Sequence, residues 1–352
     1  MSALTYIAWF DAIGLGDRPQ VGGKAASLGE LTRAGIRVPP GYVVRTAAFE
    51  RFLAALERVA PVRAAVAALR CDDLEAITAC SRALRRRMQE AALPQELTLD
   101  LAAAHERLLG AHPDQPVAVR SSATCEDAAE ASFAGLQDTY LWVRGLAATL
   151  ERVRSCWASL YSVESISYRL QHGFPEEQVA MAVVVQSMVD ARTSGVMFTR
   201  SPTTGDRSVV TVEGAWGVGS AVVGGEVTPD RWVLGKITGE ISVRDISDKH
   251  IQHVAAAAGG VEAVAVEDER RRVPCLSDEE LQELRALARR IERHYGRAQD
   301  IEWAIDRASG AILLLQSRPE TVWAAKDAAP VATPQQDPLM HVMSIFGKPQ
   351  CR

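Results

Sequence analysis

The run from Val117 to Val143, VAVRSSATCEDAAEASFAGLQDTYLWV, constrains this chain more than any other segment. It begins as an apolar stretch typical of a buried strand, reaches Arg120, and continues through a loop of Ser, Thr, Gly and acidic residues. From Thr139 the residues alternate again, as in a second strand. Arginine presents a planar fork of donors to phosphate oxygens, and glycine lets backbone N–H groups approach a ligand closely. The run therefore predicts a strand–loop–strand unit suited to a polyphosphate.

The composition indicates a globular chain without general affinity for nucleic acids. Its 352 residues leave room for about two domains of ordinary size. With 39 basic and 44 acidic residues the net charge is -5, so an anion site must come from locally placed Lys and Arg. The start, MSALTYIAWFDAIG, lacks the features of a secretory signal, and no apolar run is long enough for a membrane span. The six cysteines have no CxxC or zinc spacing, which predicts reduced thiols in a cytoplasmic protein.

The order of elements predicts three parts. Residues 1–110 alternate short strands with helices and contain a loop around Lys24. Residues 111–324 are richer in strands and end in an amphipathic helix and a closing hairpin. Residues 325–352 are rich in Ala, Pro and Gln and then apolar, which predicts a flexible linker and a tail. That tail either docks on a partner or folds back on its own chain.

Two segments could supply charged groups to a phosphate site. Gly22-Gly23-Lys24 precedes a helical pattern, a setting that favours an anion, although a solvated loop lysine is the simpler interpretation of these residues alone. In the closing hairpin, strand alternation would bring Glu302, Gln316 and Arg318 together. Mg²⁺ prefers oxygen ligands such as the first two, and the arginine would neutralise phosphate charge. A cross-strand ion pair is the alternative interpretation.

Two further segments suggest walls of a ligand site. Val179 to Asp190 is a buried apolar strand by its pattern, and its end at Gln186-Ser187-Met188-Val189 can offer backbone groups and an apolar surface to a planar ring. Most apolar strands of this kind belong to the hydrophobic core rather than to a ligand site, which is the alternative interpretation. The glycines of Thr193 to Pro202 and Glu213 to Asp230 imply tight turns near a ligand.

Together these motifs, from about Gly22 to Thr321, resemble the ATP-binding region of the phosphoenolpyruvate synthase, pyruvate phosphate dikinase and rifampin phosphotransferase group. The resemblance implies an α+β, ATP-grasp-like fold with ATP and Mg²⁺ in a cleft between two lobes. It implies that Lys24, Arg120 and Arg318 act on the phosphates and that Glu302 and Gln316 hold the metal. The full set of implied nucleotide-site residues is Lys24, Arg120, Gly135, Thr139, Gln186, Met188, Val189, Glu302, Gln316 and Arg318.

The chain departs from the family pattern at two positions. Leu136 stands where the family often has glutamine, which is not expected to abolish ATP binding. Ser220 stands where the family usually has an acidic residue, so the role of that acid is in doubt here. Glu213 is kept, with either a structural or a catalytic role.

Full-length members of this group pass phosphate through a histidine in a short Gly/Thr-Ser-His-Ala type motif. None of the seven histidines here has that setting, and the chain ends soon after the ATP-binding motifs. The resemblance therefore implies the ATP-binding subunit of a split dikinase, whose partner subunit carries the phosphorylatable histidine and the acceptor site. This architecture is most similar to that of phenylphosphate synthases, which convert ATP, phenol and water to phenyl phosphate, AMP and phosphate.

Other functions remain open on the sequence alone. A split phosphoenolpyruvate synthase or a rifampin-type phosphotransferase fits the same motifs, because none of them belongs to an acceptor pocket. A non-catalytic ATP-sensing regulator is the alternative from another class, although such a protein need not keep all the metal-ligand candidates. No nucleic-acid or membrane partner is predicted.

Overall fold

The computed structural model describes residues 5–124, 127–128, 131–132 and 138–323. Gly135, Leu136 and the segment 325–352 lie outside these residues, so what the sequence predicts for them stays a prediction. The chain divides into two compact units, 1–319 and 320–352. In the second unit the described residues are 320–323, where the backbone N–H of Trp323 donates to Glu320 Oε1 at 2.7 Å. The fold and the site below belong to the first unit.

The described residues form strands and helices that are mixed along the chain. The strands are β1 (Ile7–Trp9), β2 (Gly41–Val44), β3 (Val117–Ala123), β4 (Asp127–Ala128), β5 (Ala131–Ser132), β6 (Thr139–Val143), β7 (Met181–Ser187), β8 (Ala191–Phe198), β9 (Val209–Trp216), β10 (Asp230–Gly235), β11 (Ile241–Asp245), β12 (Ile251–Ala255), β13 (Val261–Ala265), β14 (Gln299–Asp306) and β15 (Ile312–Pro319). The helices are α1 (Arg18–Arg33), α2 (Thr46–Glu57), α3 (Arg63–Ala67), α4 (Leu74–Glu90), α5 (Gln95–Leu109), α6 (Gly145–Ser159), α7 (Val163–His172), α8 (Ser220–Val223), α9 (Asp268–Arg271) and α10 (Asp278–Tyr295).

Two larger antiparallel sheets organise the first unit. One has five strands in the order β1-β2-β7-β3-β6, and the other has six in the order β11-β10-β9-β8-β14-β15. All neighbours in both sheets run antiparallel. Strands β12 and β13 form a separate hairpin. The prediction of an α+β fold is confirmed, and strands from 1–110 and from 111–324 share the five-stranded sheet.

The five-stranded sheet is covered on both faces, as the continuous apolar run of β7 predicts. On one face Phe49 and Phe52 pack with Trp157, and the rings of the last two stack with centroids 5.1 Å apart. On the other face α1 packs through apolar side chains that include Leu28, against strand residues such as Val184. Burying each side chain of this size stabilises the fold by roughly 2–3 kcal/mol.

The six-stranded sheet packs one face on α10. Trp232 and Trp303 are fully buried there, together with Leu284 and Ile291 of the helix. The helix begins with a capping box, in which Ser277 Oγ accepts from the Glu280 N–H and Glu280 Oε2 accepts from the Ser277 N–H. The opposite face of the sheet is left for the site described below.

The structure corrects the sequence-based prediction in three places. Lys24 lies within α1 rather than in a loop, because the helix is interrupted only at Gly22. Helix α7 and the β12–β13 hairpin were not predicted. His172 is the last residue of α7, and Gly173 ends that helix in the left-handed region. Among the helices of the described residues, none has the length and apolar character needed to cross a membrane.

Candidate functional site

A break in α1 sets the position of Lys24. Gly22 has φ 75° and ψ 170°, and a Cβ on it would lie 2.1 Å from the carbonyl oxygen of Ser122 in β3. Glycine adopts this conformation readily and allows the two backbones to approach. The Ser122 hydroxyl spans the break, since it donates to Val21 O at 2.9 Å and accepts from the Ala25 N–H at 3.1 Å.

Lys24 lies two residues after this break. Its Nζ donates to Ser121 O at 2.8 Å, and the residue is only 8% exposed. Ser121 adjoins Arg120 in β3, so the lysine and the arginine stand side by side at the same strand. Two cations are thereby concentrated at one place in a chain of net negative charge.

Arg120 joins the two larger sheets. Its Nη1 donates to Leu315 O at 2.7 Å, and its Nη2 donates to Glu302 Oε2 at 3.0 Å and to Gln316 Oε1 at 2.9 Å. The register of β14 and β15 shifts between Glu302 and Trp303, which leaves Leu315 as the extra residue of a bulge. The bulge frees the Leu315 carbonyl from the ladder, and Arg120 takes it as an acceptor.

The predicted closing hairpin is confirmed, with Glu302 opposite Gln316 and Asp300 opposite Arg318. Directly opposed residues lie on the same face of a sheet, so all four side chains share one face. Arg318 Nε lies 3.5 Å from Asp300 Oδ2, and the arginine side chain is 54% exposed. Arg318 is therefore placed near the carboxylates with much of its guanidinium open to a ligand.

A cavity of about 470 Å³ contains these groups. It lies between the five-stranded and six-stranded sheets and takes nine of the ten implied site residues into its wall: Lys24, Arg120, Thr139, Gln186, Met188, Val189, Glu302, Gln316 and Arg318. Gly135, the tenth, lies outside the described residues. The structure thus brings together side chains that are almost 300 positions apart in sequence.

The cavity wall has a charged part and an apolar part. The charged part consists of the Lys24, Arg120, Glu302, Gln316 and Arg318 side chains. The apolar part is built around Val189, Ala191 and Ala304, which cluster with Leu315 beside them. An elongated ligand with a polyanionic end and a flat apolar end would match both parts.

Gln186 and Thr139 lie at the wall in different ways. Gln186 is 2% exposed, and its Nε2 donates to Pro39 O at 3.0 Å, so part of its amide supports the neighbouring turn. Thr139 is exposed and pairs with Arg120 in the β3–β6 ladder. The Met188 N–H donates to Pro116 O at 3.0 Å, which fixes the chain where it leaves β7.

The charged end of the cavity presents two side-chain oxygen atoms of the kind that suits a magnesium ion. Glu302 Oε2 and Gln316 Oε1 converge on one nitrogen of Arg120, and Mg²⁺ takes such oxygen ligands. Within the described ranges no group of three or more His, Cys, Asp or Glu could hold a metal by itself. A metal here would therefore need phosphate oxygens and water to complete its coordination.

Glu213 lies on the cavity face of the six-stranded sheet but outside the cavity wall. It pairs with Val196 of β8, which pairs in turn with Glu302, and on its other side it pairs with Arg231. Burial raises the pKa of the Glu213 carboxyl, and the positive charge of Arg231 opposes that rise. The residue sits in a cross-strand row with the metal-ligand candidates, two strands away from Glu302.

Sequence reasoning missed several residues of the wall. Leu141, Ser194, Val218, Val223 and Leu315 all line the cavity. The alternation within Leu313 to Arg318 gives no sign of the bulge at Leu315. The only signal for Val218 and Val223 is the density of glycines between Gly217 and Gly225, which the sequence interpretation placed near a ligand without naming a residue.

Comparison with known proteins identifies the family of this chain. A family described as "Pyruvate phosphate dikinase, AMP/ATP-binding domain" matches residues 18–338. A probable phosphoenolpyruvate synthase of Methanocaldococcus jannaschii is 39% identical over 321 residues, which cover 91% of this chain and 27% of the relative. The phosphoenolpyruvate synthase of Aeropyrum pernix is 39% identical and covers 94% of this chain and 44% of its own length. A rifampicin phosphotransferase of Streptomyces sp. is 43% identical and covers 88% of this chain and 35% of its own length.

The chain spans less than half the length of these relatives. Among solved structures, D-alanyl-alanine synthetase A of Vibrio cholerae aligns with 69% of this chain and 54% of its own at 12% identity, but the TM-score of 0.24 is too low to inform the fold. The family match covers most of the chain and the motifs that build the cavity. The chain therefore belongs to the pyruvate phosphate dikinase AMP/ATP-binding domain family.

Proposed function

We propose that this chain binds Mg-ATP between its two larger sheets, in the manner of an ATP-grasp protein, and donates a phosphoryl group to a histidine outside this site. The observation that carries the proposal is the convergence of Arg120, Glu302 and Gln316, with Lys24 beside them, at one end of a cavity whose other end is apolar. The triphosphate would take the charged end and adenine the apolar end beside Met188 and Val189.

Phosphoryl transfer at such a site depends mainly on positioning and charge neutralisation. Lys24 and Arg120 would hold the phosphates against the five-stranded sheet, and Arg318 would approach them from β15. Glu302 and the Gln316 amide oxygen would hold Mg²⁺, which when bound offsets negative charge on the phosphate oxygens. Arg120 would keep the Glu302 and Gln316 side chains aligned through its hydrogen bonds to both.

The proposed reaction is of the dikinase type. The β-phosphoryl group passes to the histidine, the γ-phosphoryl group leaves as phosphate after attack by water, and AMP remains. The histidine and the acceptor site are proposed to lie on a partner subunit or a further domain, in keeping with relatives that are two to nearly four times as long as the matched region. A cytoplasmic location for this reaction stays a prediction.

The relatives of this chain carry the names of enzymes that act on different acceptors. Relatives named as phosphoenolpyruvate synthase and as rifampicin phosphotransferase match this chain at 39% and 43% identity, so similarity in the ATP-binding domain does not separate acceptors. Pyruvate fits the names of several of these relatives. Phenol, predicted from subunit architecture, stays a prediction that no residue of the cavity favours.

Calorimetric titration with Mg-ATP tests the binding part of the proposal. Lys24→Met should weaken Mg-ATP binding at least tenfold, because a charged hydrogen bond contributes roughly 1.5–3 kcal/mol. Lys236→Met is the matched control, since Lys236 pairs with Glu292 at 2.8 Å and takes no part in the cavity wall. Equal affinities for wild type and Lys24→Met would count against the placement of the triphosphate.

Labelled ATP separates phosphoryl transfer from mere nucleotide sensing. Proteins captured with this chain from a native extract would be incubated with it and with ATP labelled at either the β or the γ phosphorus. A dikinase transfers the β label to a captured histidine protein and releases the γ label as phosphate. Binding of Mg-ATP without label transfer or AMP formation would contradict the phosphotransferase and favour a sensor.

A further inference from the structure

Three polar side chains lead from the cavity wall to the surface. Ser220 lines the cavity, and its Oγ lies 2.7 Å from His253 Nδ1. His253 is 8% exposed, and its Nε2 lies 3.3 Å from Glu226 Oε2. The Glu226 side chain is 51% exposed. None of the three belongs to the site implied by the sequence.

The backbone holds His253 firmly behind Ser220. The Val218 N–H donates to His253 O at 2.9 Å, and Gly217 forms an isolated parallel bridge with His253. A Cβ on Gly217 would lie 2.4 Å from His253 O, so the absence of a side chain there lets β12 approach the cavity loop. The histidine is therefore positioned by main-chain contacts as well as by its own hydrogen bonds.

Glu226 selects the tautomer of the neutral imidazole. A carboxylate accepts hydrogen bonds, so His253 Nε2 carries the proton that faces it and Nδ1 is left as an acceptor. The Ser220 hydroxyl then donates to Nδ1. Ser220 Oγ can then only accept further hydrogen bonds. It therefore suits a ligand that presents a hydroxyl or amino donor.

The location of Ser220 favours the middle of the proposed nucleotide. A Cβ on the adjacent Gly219 would lie 3.5 Å from Ser194 Oγ, so this loop passes over Ser194. Ser194 is two residues along β8 from Val196, which pairs with Glu302. Two residues of a strand span about 7 Å. Ser194 pairs with Ala304, which belongs to the apolar part of the wall. Ser220 is thus displaced from the metal-ligand candidates toward the apolar end, where the sugar of a bound nucleotide would lie.

We infer that Ser220, oriented by His253 and Glu226, accepts a hydrogen bond from a ribose hydroxyl of the bound nucleotide. Ser220 is then a residue that selects ribonucleotides, and His253 is a positioning residue that acts through it. The inference rests on the proposed function, because it assumes that the cavity binds ATP in the stated orientation. It assigns a role to Ser220, one of the two positions at which the sequence departs from the pattern that the resemblance implies.

The test compares dissociation constants for ATP, 2′-deoxy-ATP, 3′-deoxy-ATP and a purine ribonucleoside triphosphate that lacks the 6-amino group. Wild type should bind ATP about three- to tenfold more tightly than at least one of the deoxy analogues, as the loss of one hydrogen bond predicts. Ser220→Ala should bring that ratio close to one while the protein still binds ATP. Ser220→Thr, which keeps a hydroxyl, should retain the preference.

The variants of His253 separate orientation from simple packing. His253→Leu should reduce the preference, because nothing then orients the Ser220 hydroxyl, and His253→Asn should restore part of it through the amide oxygen. Ser242→Ala is the control, since its hydroxyl donates to Val233 O in the β10–β11 pair outside the cavity wall. This control should change neither the affinities nor their ratio.

Four results would overturn the inference. The first is a wild type that binds ATP and both deoxy analogues equally well, and the second is a Ser220→Ala protein that keeps the preference for ATP. The third is a Ser220→Ala protein that loses the same affinity for every nucleotide. The fourth is a Ser220→Ala protein in which only the affinity ratio between ATP and the nucleotide lacking the 6-amino group changes. In each of these cases ATP still binds, so the proposed function survives. Absence of binding by all four nucleotides would overturn both the inference and the proposed function.

Discussion

At the scale of single residues, Glu213 is a carboxyl group whose ionisation is opposed by its surroundings. Burial raises its pKa in the folded chain above the ordinary value near 4.5. As the pH rises through that ordinary value, the unfolded chain loses its proton first and gains stability relative to the folded chain. The resulting loss of stability is absent at lower pH, and it is complete once the pH exceeds the pKa of Glu213 in the folded chain.

Glu213→Gln should therefore increase the free energy of unfolding at pH 7, and the gain should disappear as the pH falls below about 4.5. Urea unfolding of wild type and variant between pH 4 and pH 7 measures this difference. Glu279→Gln is a control of opposite sign, because backbone and Ser277 hydrogen bonds lower the pKa of Glu279. That variant should lose stability at pH 7. A Glu213→Gln protein that is less stable than wild type at pH 7 would show that attraction to Arg231 outweighs burial.

At the scale of elements, local sequence patterns predicted the strands that carry the candidate site but not how those strands come together in the fold. The apolar run of β7 and the alternation of β14 and β15 each depend on neighbours in sequence, so their strands could be located. Arg120 and its acceptor Leu315 O are 195 positions apart and belong to different sheets, and no local pattern specifies that two sheets face each other. The break in α1 was also missed, because its cause is the close approach of β3 to Gly22.

Gly22→Ala should destabilise the chain by about 2–5 kcal/mol, measured by urea unfolding. A left-handed φ costs an L-residue about 1–2 kcal/mol, and the clash of the new Cβ with Ser122 adds about 1–3 kcal/mol. Gly173→Ala is the matched control, since Gly173 has φ 65° with open space around its Cβ position and should show only the first cost. Equal losses in the two variants would mean that α1 moves away from β3 without resistance.

At the scale of the whole first unit, the two larger sheets meet at the cavity through Arg120 and the β14–β15 hairpin. A ligand that contacts both sheets binds the folded chain and not the unfolded one, so it raises stability by mass action. Saturation at 100 times the dissociation constant contributes about 2.7 kcal/mol, which corresponds to a rise of about 5 °C in the unfolding temperature for a unit of this size.

We expect Mg²⁺ to enlarge this rise for ATP, because Glu302 and Gln316 oxygen atoms and the phosphates would share the metal. Differential scanning fluorimetry measures the unfolding temperature with ATP in Mg²⁺ or in EDTA. For wild type, ATP should raise that temperature more in Mg²⁺ than in EDTA. Glu292→Gln is the control and should behave like wild type, because the Glu292 carboxylate pairs with Lys236 away from the cavity. Glu302→Gln should lose the metal-dependent part of the shift. AMP lacks the β- and γ-phosphates, so the shift that it causes should not depend on the metal in any variant. A Glu302→Gln protein with the full metal effect would place the ion at other ligands, and the charged end of the cavity would then serve the phosphates through Lys24, Arg120 and Arg318 alone.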